Sequence, residues 1–176
     1  MRELLPAFGS ALSFRDVKTL GCVAIVLALG ACSADHGVTQ VTPPRDTAST
    51  PVIFAGGTIT ASIAAVAAAR ERGLMNVTAL GPNAGMLFVF GIDRDSTTVA
   101  FYMKDTPIDL SIAFINASRT VVSVAEMTAE DSLTLHKPMG AIRYALEANK
   151  GWMTAHGVAA GTTATFTLPA GTIIDP

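Results

Sequence analysis

Cysteine is almost missing from this 176-residue chain: there are two, Cys22 and Cys32, both near the start. From residue 33 onward there is no thiol, which excludes a disulfide framework, a cysteine nucleophile and a thiolate metal site from that part of the protein. Charge is also sparse, at 15% of residues, and it is balanced, with twelve Lys and Arg against fourteen Asp and Glu for a net charge of -2. Nucleic acid binding depends on several Lys or Arg contacts to phosphate, so this chain carries no electrostatic footprint for it. Aromatic residues reach only 6%. No apolar run near the start is long enough to cross a membrane: residues 20–31 would make about 18 Å of helix against a hydrocarbon core of ~30 Å. What the chain does have is apolar content, 50% of residues, enough to offset ordering entropy and exclude disorder over most of its length.

The run at residues 20–31 follows Arg15 and Lys18 and ends in Leu29-Gly30-Ala31-Cys32. Its length is that of a signal-peptide h-region. Its end resembles the bacterial lipobox: a branched apolar residue, two small ones, then the cysteine whose thiol takes a diacylglyceryl group. The resemblance implies a signal peptide over residues 1–31, lipid attachment at Cys32 and a cell-envelope location facing the periplasm. Ser33 lacks the aspartate associated with inner-membrane retention, so the outer membrane is the expected one. A start at Met1 and a start at Val17 both fit, and Val17 gives the more conventional signal. Residues 32–51 show neither helical nor strand periodicity and contain Pro43, Pro44 and Pro51. They read as a flexible, lipid-anchored tether in which His36 is solvated.

Residues 52–176 read as one domain. Short apolar runs separated by turn chemistry predict strands over residues 85–90, 97–104, 108–116, 120–127, 141–147 and 162–168. In 97–104, Val99, Phe101 and Met103 lie on one side and Thr98, Ala100, Tyr102 and Lys104 on the other; in 120–127, Val122, Val124 and Glu126 share a face by the same rule. Residues 59–66 read as a strand leading into a short helix over 67–72 that Gly73 stops, and 150–156 as a helical turn closed by Gly157. The fold class expected is mainly β, a two-sheet β-sandwich or partly closed barrel with two short helices.

Arg72-Gly73-Leu74-Met75, then Gly85-Met86-Leu87-Phe88-Val89-Phe90, then residues 101–110 (Phe-Tyr-Met-Lys-Asp-Thr-Pro-Ile-Asp-Leu), then Tyr144-Ala145-Leu146-Glu147 with Gly151-Trp152 and His156-Gly157-Val158 follow one another in order. This series resembles the bacterial and archaeal family called domain of unknown function 192. The resemblance implies a compact, mostly β, two-sheet domain often found behind a signal peptide, and no established activity. It also implies Asn as the usual residue where this chain has Asp105.

Lys104, Asp105, Asp109, Glu126 and Glu147 are the ionisable groups in or beside the matching strands. Lys104, Asp105, Asp109 and Glu126 are the candidate ligand-binding residues, because carboxylates near a lysine can bind a polar ligand or move a proton. Equally, Asp105 can cap a turn and Lys104 can form a surface ion pair. No catalytic residue is assigned: there is no Gly-x-Ser-x-Gly elbow and no phosphate loop. His136 and His156 match no metal motif, so no metal or other cofactor is expected. Trp152 reads as a core plug rather than a sugar platform, and Met75, Met86 and Met103 as core filler. The expected function is a lipid-anchored envelope module that binds a small molecule, a glycan or another envelope component without catalysis. The alternatives are a small hydrolase or isomerase using Lys104 with Asp109 and Glu126, and a structural partner of another envelope protein.

Overall fold

The computed structural model describes residues 48–176. Cys32, the expected signal segment and the expected tether up to residue 47 lie outside the described residues. The domain is mainly β with two short helices, in the order β1 (Ser49–Phe54), β2 (Gly57–Ala64), α1 (Ala67–Arg72), β3 (Ala84–Arg94), β4 (Leu110–Ile115), β5 (Val121–Met127), β6 (Ile142–Asn149) and α2 (Trp152–Ala155).

All six strands join one sheet in the order β1-β2-β3-β6-β4-β5. Only β2 and β3 run parallel, and α1 lies in the crossover that such a pair requires. The strands therefore form one open sheet rather than two facing sheets or a barrel, and the partner layers are helices and irregular segments. On one face, Trp152 and Met153 of α2 with Val158, Ala164 and Phe166 cover Ile59, Leu87, Val89 and Leu146. On the other, Ala69 of α1 with Leu74, Val77, Phe101 and Met103 covers Met86, Phe88, Ile112 and Phe114. Burial on both sides explains the unbroken apolar run in β3, since alternate side chains enter different cores.

The strand-to-helix change after residue 64 agrees with the sequence reading. Gly73 ends α1 with φ 48° and donates its N–H to the Ala69 carbonyl at 2.9 Å, a backbone conformation that favours glycine.

Four expectations need correction. Residues 97–104 are not a strand: the Asp95 carboxylate accepts from the Thr97 N–H at 2.9 Å and from the Thr97 and Thr98 hydroxyls, curling the chain into a turn. Only Phe101 pairs, in an isolated bridge to His136, so the alternation there records burial rather than a ladder. Residues 162–168 form no strand either, because Thr163 bridges Thr120, just before β5, and Thr165 bridges Ile53 of β1, at opposite edges of the sheet. In β5, Val121 pairs with Ile115 and Ser123 with Phe114. Val122 is thus bulged and packs into a different core from Val124, against the shared face that strict alternation predicts. Finally, β1 takes in Ser49, Thr50 and Pro51, which the sequence placed in the tether. Thr50 is 2% exposed and its hydroxyl donates to the Thr167 carbonyl at 2.7 Å.

Candidate ligand-binding site

A cavity of about 220 Å³ opens on the sheet face covered by α1. Its floor is Phe88 and Phe90 of β3, Leu110 of β4 and Glu147 of β6; its walls are α1 with the following turn to Met75, and the segment from Val99 to Met103 with Thr106. Strand alternation fixes the position of Glu147. Leu146 and Ala148 point into the core under α2 and Ala145 into the core under α1, so Glu147 follows Ala145. It stands between Met86 of β3 and Ile112 of β4 in the sheet register.

Glu147 is 5% exposed and its carboxyl has no hydrogen-bond partner among the described residues. Burial alone pushes that carboxyl up to about 8, because a carboxylate in apolar surroundings loses its hydration. At neutral pH it is mostly the neutral acid, with one O–H to donate and a carbonyl oxygen to accept.

Two other polar side chains of the cavity, Arg70 and Thr106, are already engaged. The Arg70 guanidinium donates to the carbonyls of Ala65, of Val89 at 2.9 Å, of Asp175 at 3.3 Å and of Pro176 at 3.1 Å, and lies 5.2 Å from the Phe90 ring centroid. The Thr106 hydroxyl donates to the Lys104 carbonyl at 3.2 Å. Arg72, Glu71 and Tyr102 are exposed where they border the cavity. A second hollow, of about 260 Å³, is lined by Ala48, Ile63, Ala65, Val66 and residues 169–173, none of them titratable.

The four residues singled out from sequence do not line the cavity. Lys104 and Asp105 are exposed in the turn that joins two of its wall residues, Met103 and Thr106. Asp105 has φ 54° and its carbonyl accepts from the Asn76 N–H at 2.6 Å; its side chain makes no hydrogen bond among the described residues. Asp109 accepts from the Ala129 N–H at 2.7 Å and pairs with Lys150 at 3.2 Å. The Ala129 N–H first and then Lys150 hold its carboxyl below the usual range. Glu126 accepts from the Ser111 hydroxyl at 2.8 Å and from the Gly151 N–H at 3.2 Å. Asp109 and Glu126 therefore meet around Lys150 and Gly151, where they fix the turn into α2, and Lys104 forms no ion pair among the described residues.

Glu147 is the residue that pattern reading undervalued. Its signal was a single acid inside the otherwise apolar stretch Tyr-Ala-Leu-Glu-Ala of a strand buried on both faces. Trp152 behaves as a core plug: it is 5% exposed, donates its indole N–H to Asn83 Oδ1 at 3.0 Å and stacks on His156 with ring centroids 4.0 Å apart. Met86 and Met103 are buried. Among the described residues no group of three or more His, Cys, Asp or Glu is placed to hold a metal, and no helix is long and apolar enough to cross a membrane.

Fold and cavity define a small β-rich domain with an acid-floored apolar hollow. The chain belongs to the domain-of-unknown-function 192 family, DUF192, described as Uncharacterized ACR, whose model matches residues 51–166. No curated protein matches the chain. Among solved structures it is similar to a proposed transcription regulator from Sinorhizobium meliloti 1021, at 30% identity over 67% of this chain and 92% of that one, with a TM-score of 0.60. It is also similar to a protein of unknown function from Novosphingobium aromaticivorans DSM 12444, at 27% identity over 66% of this chain and 83% of that one, with a TM-score of 0.59.

Proposed function

We propose that the protein is a non-catalytic binding module of the cell envelope, tethered through a lipid on Cys32, that takes a small molecule into the cavity above Glu147. The observation that carries the binding reading is the Glu147 carboxyl, buried at the floor of an apolar hollow without a partner. Buried polar groups are otherwise almost always paired, so one left open toward a cavity favours a partner supplied from outside. The envelope reading rests on the Leu29-Gly30-Ala31-Cys32 pattern.

Thermal-shift screening of the purified chain against metabolites and glycans tests the binding. A ligand at a hundred times its dissociation constant adds about 2.7 kcal/mol, and Glu147→Leu abolishes that gain if the cavity is the site. Hits that survive Glu147→Leu place binding elsewhere. For the anchor, Cys32→Ala releases the protein from the membrane fraction. Wild-type protein without lipid by mass spectrometry defeats the anchor.

The hydrolase or isomerase alternative gains no support, because Asp109 and Glu126 are engaged with Lys150, Ala129, Ser111 and Gly151. The balanced charge of the chain argues against carrying direct DNA contact over from the Sinorhizobium relative. One observation favours a partner protein as a second reading: Leu133, Leu135 and Met139 are 91%, 55% and 87% exposed in the loop between β5 and β6. A photo-crosslinking residue at position 133 yields a discrete heavier adduct in intact cells if that loop docks, and none if it does not.

A further inference from the structure

We propose that the cavity selects a neutral molecule presenting a hydrogen-bond donor and acceptor side by side, a lactam or cis-amide edge, that pairs head-on with the Glu147 carboxyl. The inference rests on the reading of the cavity as a ligand site and specifies its chemistry.

The walls dictate an apolar body, since Phe88, Phe90, Phe101, Met103 and Leu110 line the space. The polar demand is concentrated at one point. Arg70 and Thr106 already donate to backbone carbonyls, leaving the Glu147 acid as the group to be matched. A protonated carboxyl has one donor and one acceptor on adjacent atoms. A lactam edge satisfies both with two parallel hydrogen bonds, and no charge has to be desolvated.

An organic amine is the obvious competitor and fits less well. It would bury an ion pair, and the ammonium's remaining N–H groups would face apolar walls, so desolvation would outweigh attraction unless every donor were matched. The groups that border the cavity also oppose a cation: α1 brings Arg70 and Arg72 against a single Glu71, the segment before Thr106 brings Tyr102, the lining residues of β3 and β4 are apolar, and Arg94 at the end of β3 acts on Arg70 as a further positive charge.

Binding then has a defined pH dependence. Burial keeps Glu147 protonated up to about 8, so lactam affinity is level below that point. It weakens by about tenfold per pH unit above it, as the donor proton is lost.

The test is titration of the purified full-length chain with ε-caprolactam and with cyclohexylmethylamine of similar size, followed by NMR, from about pH 6 to about pH 10. The expected result is caprolactam binding at neutral pH that fades above pH ~8, with cyclohexylmethylamine at least tenfold weaker. Glu147→Gln keeps a donor and an acceptor, so it retains caprolactam binding and removes the pH dependence; Glu147→Leu loses binding. Amine binding that is tighter than lactam binding, strengthens through pH ~8 and disappears in Glu147→Gln overturns the lactam inference while leaving the cavity as a ligand site. Failure of both probes at saturating concentration to move the Phe88 and Phe101 resonances also overturns it. A blank metabolite screen in addition removes the ligand-site reading itself.

Discussion

Gly85 and Glu147 are in such close contact that a β-carbon on Gly85 would stand 2.3 Å from the Glu147 carbonyl oxygen. The same atom would lie 2.9 Å from the Ile59 Cγ2 methyl, so the added group meets backbone on one side and core on the other. Gly85→Ala should therefore push β3 away from β6 and cost about 2–3 kcal/mol or more, a fall in Tm of roughly 10 °C. Calorimetry on the variant checks this; a shift of under two degrees would mean that the sheet yields at this point.

The raised Glu147 pKa makes stability depend on pH in a definite sense. In the unfolded chain the carboxyl ionises near its ordinary 4.5, whereas in the fold it holds its proton to about 8. Between those values the folded state binds the extra proton, so unfolding releases it and stability falls as pH rises, levelling above about 8. The displacement corresponds to at most roughly 5 kcal/mol. Urea denaturation from about pH 4 to about pH 9 should show the decline, and Glu147→Gln should flatten it. A wild type as stable at the upper end as at the lower would contradict the buried-acid assignment.

Asp105 is governed by its backbone rather than by its charge. A φ of 54° is uncommon for a side chain with a β-carbon, and Asn, Asp and Gly tolerate it best. Asp105→Asn should thus be nearly silent, Asp105→Gly neutral or slightly stabilising, and Asp105→Ala costly by about 1 kcal/mol. Equilibrium denaturation of the three variants separates this order from one set by charge, in which Asn and Ala would behave alike. The left-handed turn also accounts for the asparagine that the family resemblance implies at this position.

The edge strand predicts where the chain can be shortened. A chain beginning at Val52 loses Ser49, Thr50 and Pro51 from β1, the Thr50 hydroxyl bond to Thr167 and the Ile63 N–H bond to the Ala48 carbonyl. It should melt several degrees below a chain beginning at Ala48, because buried hydrogen-bonding groups are left without partners. Equal melting temperatures would show that β1 ends at Val52 in solution.

Much of the domain was legible where local chemistry and tertiary packing agree. The Ala-rich stretch ending in Gly73 and the strands around Phe88, Ile112 and Leu146 all have local causes. Reading failed where alternation arose without a partner strand, as at Val99, Phe101 and Met103, whose inward turns serve a core while the Asp95 turn prevents pairing. It also failed at Val122, since a bulge leaves no sequence mark distinct from ordinary alternation. The number of sheets was hidden because a strand covered by helices and a strand covered by another sheet show the same apolar run. At the site, charge clusters drew attention to Asp109 and Glu126, whose partners, Lys150 and the Gly151 N–H, lie far along the chain. Glu147 stood alone among apolar neighbours, and its importance comes from what surrounds it in space.

The sheet order has a consequence for how the molecule assembles. β1, β2 and β3 are neighbours in both sequence and space, and β4 and β5 form a hairpin, yet no strand pairing joins these two groups until β6 enters between β3 and β4. Synthesis delivers both local pieces before the strand that unites them, and its pairing with β3 closes the longest chain loop in the sheet. The last strand to dock therefore brings the buried acid with it. Acidic conditions, which neutralise that acid in the unfolded chain too, should speed the closing step rather than slow it.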